Sequence, residues 1–218
     1  MKNQTIENTL DFVKKTLKWA EWGHDFFHIE RVYKNALNIL QTEWTECNEL
    51  VVKLWALLHD IADSKFHNWD ETVWPRVARE FLEGQKIEEQ DTDHVIKIIE
   101  NISFKWWKHT QEFRSHELDI VQDADRLDAL WAIWIARTFT YWGHFGRQIY
   151  NPNINPNLDM TKQEYKDSTA PSLNHFYEKL LLLKDKMNTE TWKNIAEERH
   201  KYMEEYLKQF HNEWEAIK

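Results

Sequence analysis

Apolar side chains return at steps of three and four along most of the chain, through Ile6–Trp19, His28–Leu40, Leu50–Ile61, Val73–Leu82, Val95–Ile102, Leu118–Phe139, Leu173–Leu183 and Ile195–Phe210. That period matches one face of an α-helix, so each segment is expected to bury one stripe and turn the other to water. Strand signals, in which β-branched residues alternate with polar ones between turns, are almost missing. The pattern predicts an all-α fold. Gly84 is expected to close one helix, and Asn188 and Thr189 to offer N-cap oxygens to the last. Three of the four prolines fall within 141–171, with "NPNINPN" at the centre, and predict a long irregular loop of the kind that often carries function. No repeat or low-complexity linker interrupts the chain. Residues 1–218 are therefore expected to form a single domain, with a core over about 20–140, the loop over 141–171 and a C-terminal helical pair over 172–211.

Composition narrows the function classes. A 42% hydrophobic content supplies a core, while a net charge of -9 argues against a surface that coats nucleic acid, since phosphate backbones are held by excess Lys and Arg. An anionic substrate must then meet a local basic cluster. Cys47 is the single cysteine, so an internal disulfide and a cysteine-based metal site are both excluded, which suits a reducing cytoplasm. The start "MKNQTIENTL" lacks an apolar signal region, and no segment approaches the roughly 18 consecutive apolar residues of a spanning helix. The expectation is a soluble, cytoplasmic protein with no membrane partner; the sequence leaves its oligomeric state open.

Candidate chemistry gathers in three of the expected helices. In "HDFFHIERV", His24 lies one turn before His28, and Arg31 three residues after it shares its face. In "LLHDIADSKF", His59 and Asp60 are adjacent and so separated by about 100° around a helix; both reach one point only at a helix end or bend. Asp63 and Lys65 follow. In "VQDADRLDALWAIWIAR", Asp125 and Asp128 share a face beside Arg126. Such groups on apolar helices are costly unless paired or bound to a metal. Two imidazoles and two carboxylates suit one divalent ion such as manganese, magnesium, iron(II), cobalt or nickel, and leave positions open for water and a substrate oxygen.

These motifs resemble the HD-domain superfamily, whose signature is a His, then a His-Asp pair, then a distant Asp. The nearest resemblance is to the bacterial HD phosphohydrolase subgroup, through "HDFFHIERV", "LLHDIADSK", "QDADRLDA" and "NHFYEKLLLLKDKMNT", over about residues 20–210. The resemblance implies an HD-domain helical bundle and a divalent-metal-dependent phosphohydrolase. Its metal ligands would be His28, His59, Asp60 and Asp125. Asp63 and Lys65 would stand near the attacking water and the phosphate, and Arg31, Arg126, His175 and Lys179 would contact the anion. The expected partner is a small phosphate ester or anhydride, with nucleotides the class that the resemblance favours. The alternative is a nucleotide-sensing HD module with little turnover. Plainer roles also suit some residues: Asp63 as a helix cap, Arg126 in an ion pair with Asp128 or Asp123, Lys179 in solvent, and His144 and Arg147 as either lid or ordinary surface. A second metal, as in di-iron relatives, would draw on His94 and His116, but His116 lies too near Asp125 in sequence to favour it.

Tryptophan is out of proportion. The chain has 13 Trp and 4 Gly, against an average glycine usage of about 7%. Related sequences usually carry glycine where this chain has Trp44, Trp69, Trp74, Trp106, Trp107, Trp131, Trp134, Trp142 and Trp192. Trp22 joins them on weaker grounds, and Trp214 looks ordinary. The two explanations are a Trp-rich divergent member and a UGA codon read as glycine by the organism.

Overall fold

In the computed structural model, which describes residues 2–18, 25–43, 46–61, 70, 72–102 and 113–217, the fold is all-α. The chain divides into two compact units, Met1–Asp125 and Arg126–Lys218. The first holds α1 (Lys2–Thr16), α2 (Phe26–Thr42), α3 (Glu49–Leu58), α4 (Val73–Gly84), α5 (Glu89–Ile102) and most of α6 (His116–Asp128), within which the division falls. The second holds α7 (Ala132–His144), α8 (Lys162–Asp167), α9 (Asn174–Glu178), two 3₁₀ turns and α10 (Glu190–Trp214).

The centre of the first unit is α3. Eight of its ten residues are buried, from Leu50 to Leu58 with only Lys53 left out, so its apolar surface is far wider than one stripe and only the edge shared by Glu49 and Lys53 is polar. α1, α2 and α5 pack against it. Asn48 starts the helix by accepting the backbone N–H groups of Leu50 and Val51 on its side-chain oxygen. α1 and α4 meet through stacked Phe12 and Phe81 rings 4.2 Å apart. The second unit has an aromatic core in which Phe139 of α7 faces Phe176 of α9 and Phe210 of α10.

Several boundaries depart from the apolar period. α5 begins at Glu89, six residues before Val95, because its first turns are polar and acidic, as suits a helix N-terminus. The segment Leu118–Phe139 is two helices, broken at 129–131. There Trp131 adopts φ 103, ψ -168, a region that costs a non-glycine residue about 1–3 kcal/mol. The loop expected from Tyr141 starts only after α7 ends at His144, and it contains α8, begun by a capping box between Thr161 and Glu164. Thr189 takes the N-cap position of α10 without a side-chain cap bond. Leu173–Leu183 shortens to α9 followed by 3₁₀ turns.

Gly84 is the last residue of α4 rather than its left-handed stop. The stop is Lys86 at φ 58, with its N–H bonded to the Glu83 carbonyl and that of Ile87 to the Leu82 carbonyl, the paired bonds of a Schellman motif. Gly146, with Arg147 following, ends α7 by the same pair of bonds, and Ala216 ends α10. Because a Cβ is strained at positive φ, Lys86→Gly is expected to raise stability by about 0.5–1 kcal/mol, measured as a higher urea midpoint at unchanged slope.

Candidate metal centre

The N-terminus of α2 places the first imidazole. Asp25 caps the helix in an extended conformation, and its carboxylate accepts the His28 backbone N–H at 2.9 Å, which fixes His28 in the first turn with its side chain buried. The end of α3 places the second. His59 takes the C-cap position and Asp60 continues into a turn, so the chain leaves helical geometry where adjacent side chains need to converge. The His59 Nδ1–H donates to the Ala56 carbonyl at 2.9 Å, which leaves Nε2 with its lone pair toward the site. Trp55 stacks on the His59 ring at 5.0 Å, and the His28 ring meets it edge-on at 5.0 Å.

The two Nε2 atoms are 3.1 Å apart. Asp60 Oδ2 lies 3.4 Å from His28 Nε2 and 3.8 Å from His59 Nε2. Asp125 Oδ1, from α6, lies 3.6 and 3.9 Å from the same atoms. α6 is tied to α2 by Asn35, whose side-chain amide donates to the Ala124 carbonyl at 3.1 Å. Among the described residues, His28, His59 and Asp60 form the group with metal-ligand spacing. The donor set fits a divalent cation. Ligand atoms about 2.1 Å from an ion and at right angles lie about 3 Å apart, close to the spacing of the two imidazole nitrogens. Acceptors crowded this way, two of them in buried rings, are stabilised by a shared positive charge.

Arg31 is half-buried on α2, three residues beyond His28. His24, Asp63 and Lys65 lie outside the described residues, as do Trp22, Trp44, Trp69, Trp106 and Trp107. His94 is engaged by the Ser115 hydroxyl at 3.1 Å and by Glu117 at 3.6 Å. Burial pushes the Glu117 carboxyl up, but hydrogen bonds from the Asn48 and Glu117 N–H groups, with His94 and Ser115, outweigh it and hold the group below the usual range. In the second unit, Arg126 donates to the Lys186 carbonyl. His175 is buried with its Nδ1 3.4 Å from the Tyr165 hydroxyl, and Lys179 ends α9 with its backbone N–H on the His175 carbonyl. Burial pushes the nearby Glu178 carboxyl up, partly offset by the Asn157 N–H and by Arg147.

The apolar period does not point to Asp25, Asn35, Trp55 or the Ala56 carbonyl as parts of this centre. Asp25, three residues before His28, carries a cap signal; Asn35, joined to a residue 89 positions away, carries none. Trp55 is 1% exposed, and its buried indole N–H has no hydrogen-bond partner among the described residues.

Residues 25–130 match the HD domain family. An HD-superfamily hydrolase from Bacillus thuringiensis is similar in structure at a TM-score of 0.77, with 44% identity, 99% of this chain and 100% of that chain being covered. The uncharacterized protein YpgQ of Bacillus subtilis is 33% identical over 97% of this chain and 94% of its own. The crystal structure of YpgQ in complex with ADP matches at a TM-score of 0.73, with 31% identity over 97% of this chain and 96% of that one. The chain belongs to the HD-domain superfamily, and its homologues include HD-superfamily hydrolases. No described helix is long and apolar enough to cross a membrane.

The tether between α2 and α6 gives a direct test. Asn35→Ala removes a donor to a backbone carbonyl and is expected to lower stability by about 1 kcal/mol in urea unfolding. A variant as stable as the parent would show that the Asn35 bond contributes nothing.

Proposed function

We propose that the chain is a divalent-metal-dependent phosphohydrolase that acts on nucleotides or related small phosphate esters and anhydrides through attack of water at phosphorus. The observation that carries this reading is the cluster of His28, His59 and Asp60, with Asp125 Oδ1 3.6 and 3.9 Å from the two imidazole nitrogens, in a chain whose homologues include HD-superfamily hydrolases. The ADP held by YpgQ supports a nucleotide as the substrate class. The four residues would hold one ion, of manganese, magnesium, iron, cobalt or nickel. When bound, such an ion lowers the pKa of a water and polarises a phosphoryl oxygen.

The chain's own groups do the rest. Ala56 keeps the His59 proton on Nδ1, so the Nε2 lone pair stays available. Asp125, with its side chain 41% exposed, is the most solvent-accessible of the four groups, while the two rings are buried. Asp63 orients the attacking water and takes its proton, and Lys65 and Arg31 offset phosphate charge.

His59→Ala and Asp60→Ala are each expected to lose bound metal and turnover together. Asp63→Asn is expected to keep its metal while turnover falls by roughly 10²–10⁴-fold. Elemental analysis beside rates separates the two cases, and stoichiometric metal in His59→Ala would remove that residue from the ligand set. In a panel of nucleoside mono-, di- and triphosphates assayed with manganese, at least one member is expected to release phosphate or pyrophosphate. Tight nucleotide binding with no turnover across the panel would replace the enzyme by a nucleotide-sensing module.

A further inference from the structure

The turn between α6 and α7 has a backbone that its residue does not fit. Ala129 and Leu130 still bond back to the Arg126 and Leu127 carbonyls at 3.1 and 3.3 Å, and at 131 the chain swings to φ 103, ψ -168 before α7 begins. This is not the left-handed well occupied by Lys86 at φ 58 and Ala216 at φ 53, which ordinary residues visit at modest cost. It is the region near ψ 180° at positive φ that is essentially restricted to glycine. Among the described residues, Trp131 is the one non-glycine residue there.

Strain of this kind persists at functional sites when the surroundings over-determine it. Among the described residues, nothing comparable surrounds Trp131. Trp131 is 45% exposed and meets the Tyr202 ring, tilted by 58°, at 6.2 Å and the Arg199 guanidinium at 5.1 Å, a surface contact rather than a socket. It also occupies the N-cap of α7 and makes no side-chain cap bond. Glycine is tolerated at an N-cap and large side chains are not, so one substitution satisfies both the dihedral angles and the cap.

We propose that residue 131 is glycine in the protein as its own organism makes it, placed there by a UGA codon that one genetic code reads as tryptophan and another as glycine. One further observation agrees. Tryptophan and glycine have exchanged their usual abundances, at 13 and 4. Trp74, Trp134, Trp142 and Trp192 lie in helices, and Trp74 donates to the Leu58 carbonyl at 2.8 Å, so the backbone demand rests on position 131.

The test is the mass of the tryptic peptide Leu127–Arg137 from protein purified out of the native organism, with the Trp214 peptide as a reference for authentic tryptophan. Fragment ions are expected to place glycine at 131. Tryptophan at 131 would overturn the proposal, whatever residue 134 shows. For protein made in a host that reads the position as tryptophan, Trp131→Gly is expected to raise the melting temperature by about 2–10 °C. A lower melting temperature than the Trp131 form would remove the backbone argument and the proposal with it.

Discussion

The first unit is organised by the burial of α3, eight of whose ten residues are enclosed. A helix buried on all but the edge that Glu49 and Lys53 share has little room for polar groups except where it ends, and α3 ends at Leu58 with His59 and Asp60 next in line. α1, α2 and α5 cover its flanks. A His and an Asp at the mouth of such a helix must find partners, and α2 and α6 supply them as His28 and Asp125. The geometry of the centre is thus a consequence of core packing, with hydrogen bonds setting its details: Asp25 fixes where His28 starts, Ala56 which way His59 faces, and Asn35 where α6 lies.

Most helices were legible because their apolar stripes are regular. α2 and α4 fall within a few residues of the predicted bounds. α5 was found late because acidic first turns carry no apolar period, though their charge is itself a helix-start signal. The α6–α7 break was hidden because Ala129, Leu130 and Trp131 continue the apolar run; a glycine at 131 would have been read as a stop. α4 illustrates the reverse error, since Gly84 drew the stop signal and Lys86 performs it.

Of the site, the residue types and their order were legible, and adjacency alone implied that His59 and Asp60 sit at a helix end. The groups that orient the ligands were not, because a bond from Asn35 to Ala124 or from a ring to the Ala56 carbonyl depends on three-dimensional placement. The same holds for where two guanidinium groups make their bonds. Arg126 spends donors on the Lys186 carbonyl, and Arg147 lies over the Trp142 ring and donates to the Ser168 and Ala170 carbonyls. A guanidinium matches a chain that turns back on itself as readily as it matches a phosphate.

The unequal exposure of the four polar groups has a kinetic meaning. His28 and His59 are almost wholly enclosed, while the Asp125 side chain is 41% exposed and that of Asp60 15%. For the ion proposed here, arrival and departure would run past the carboxylates, with the rings as the closed back wall. Chelators would then strip it in the order in which ligands can be reached, Asp125 first. The lifetime of the loaded state would depend on the exposed aspartate, although the imidazoles contribute the larger share of the enclosure.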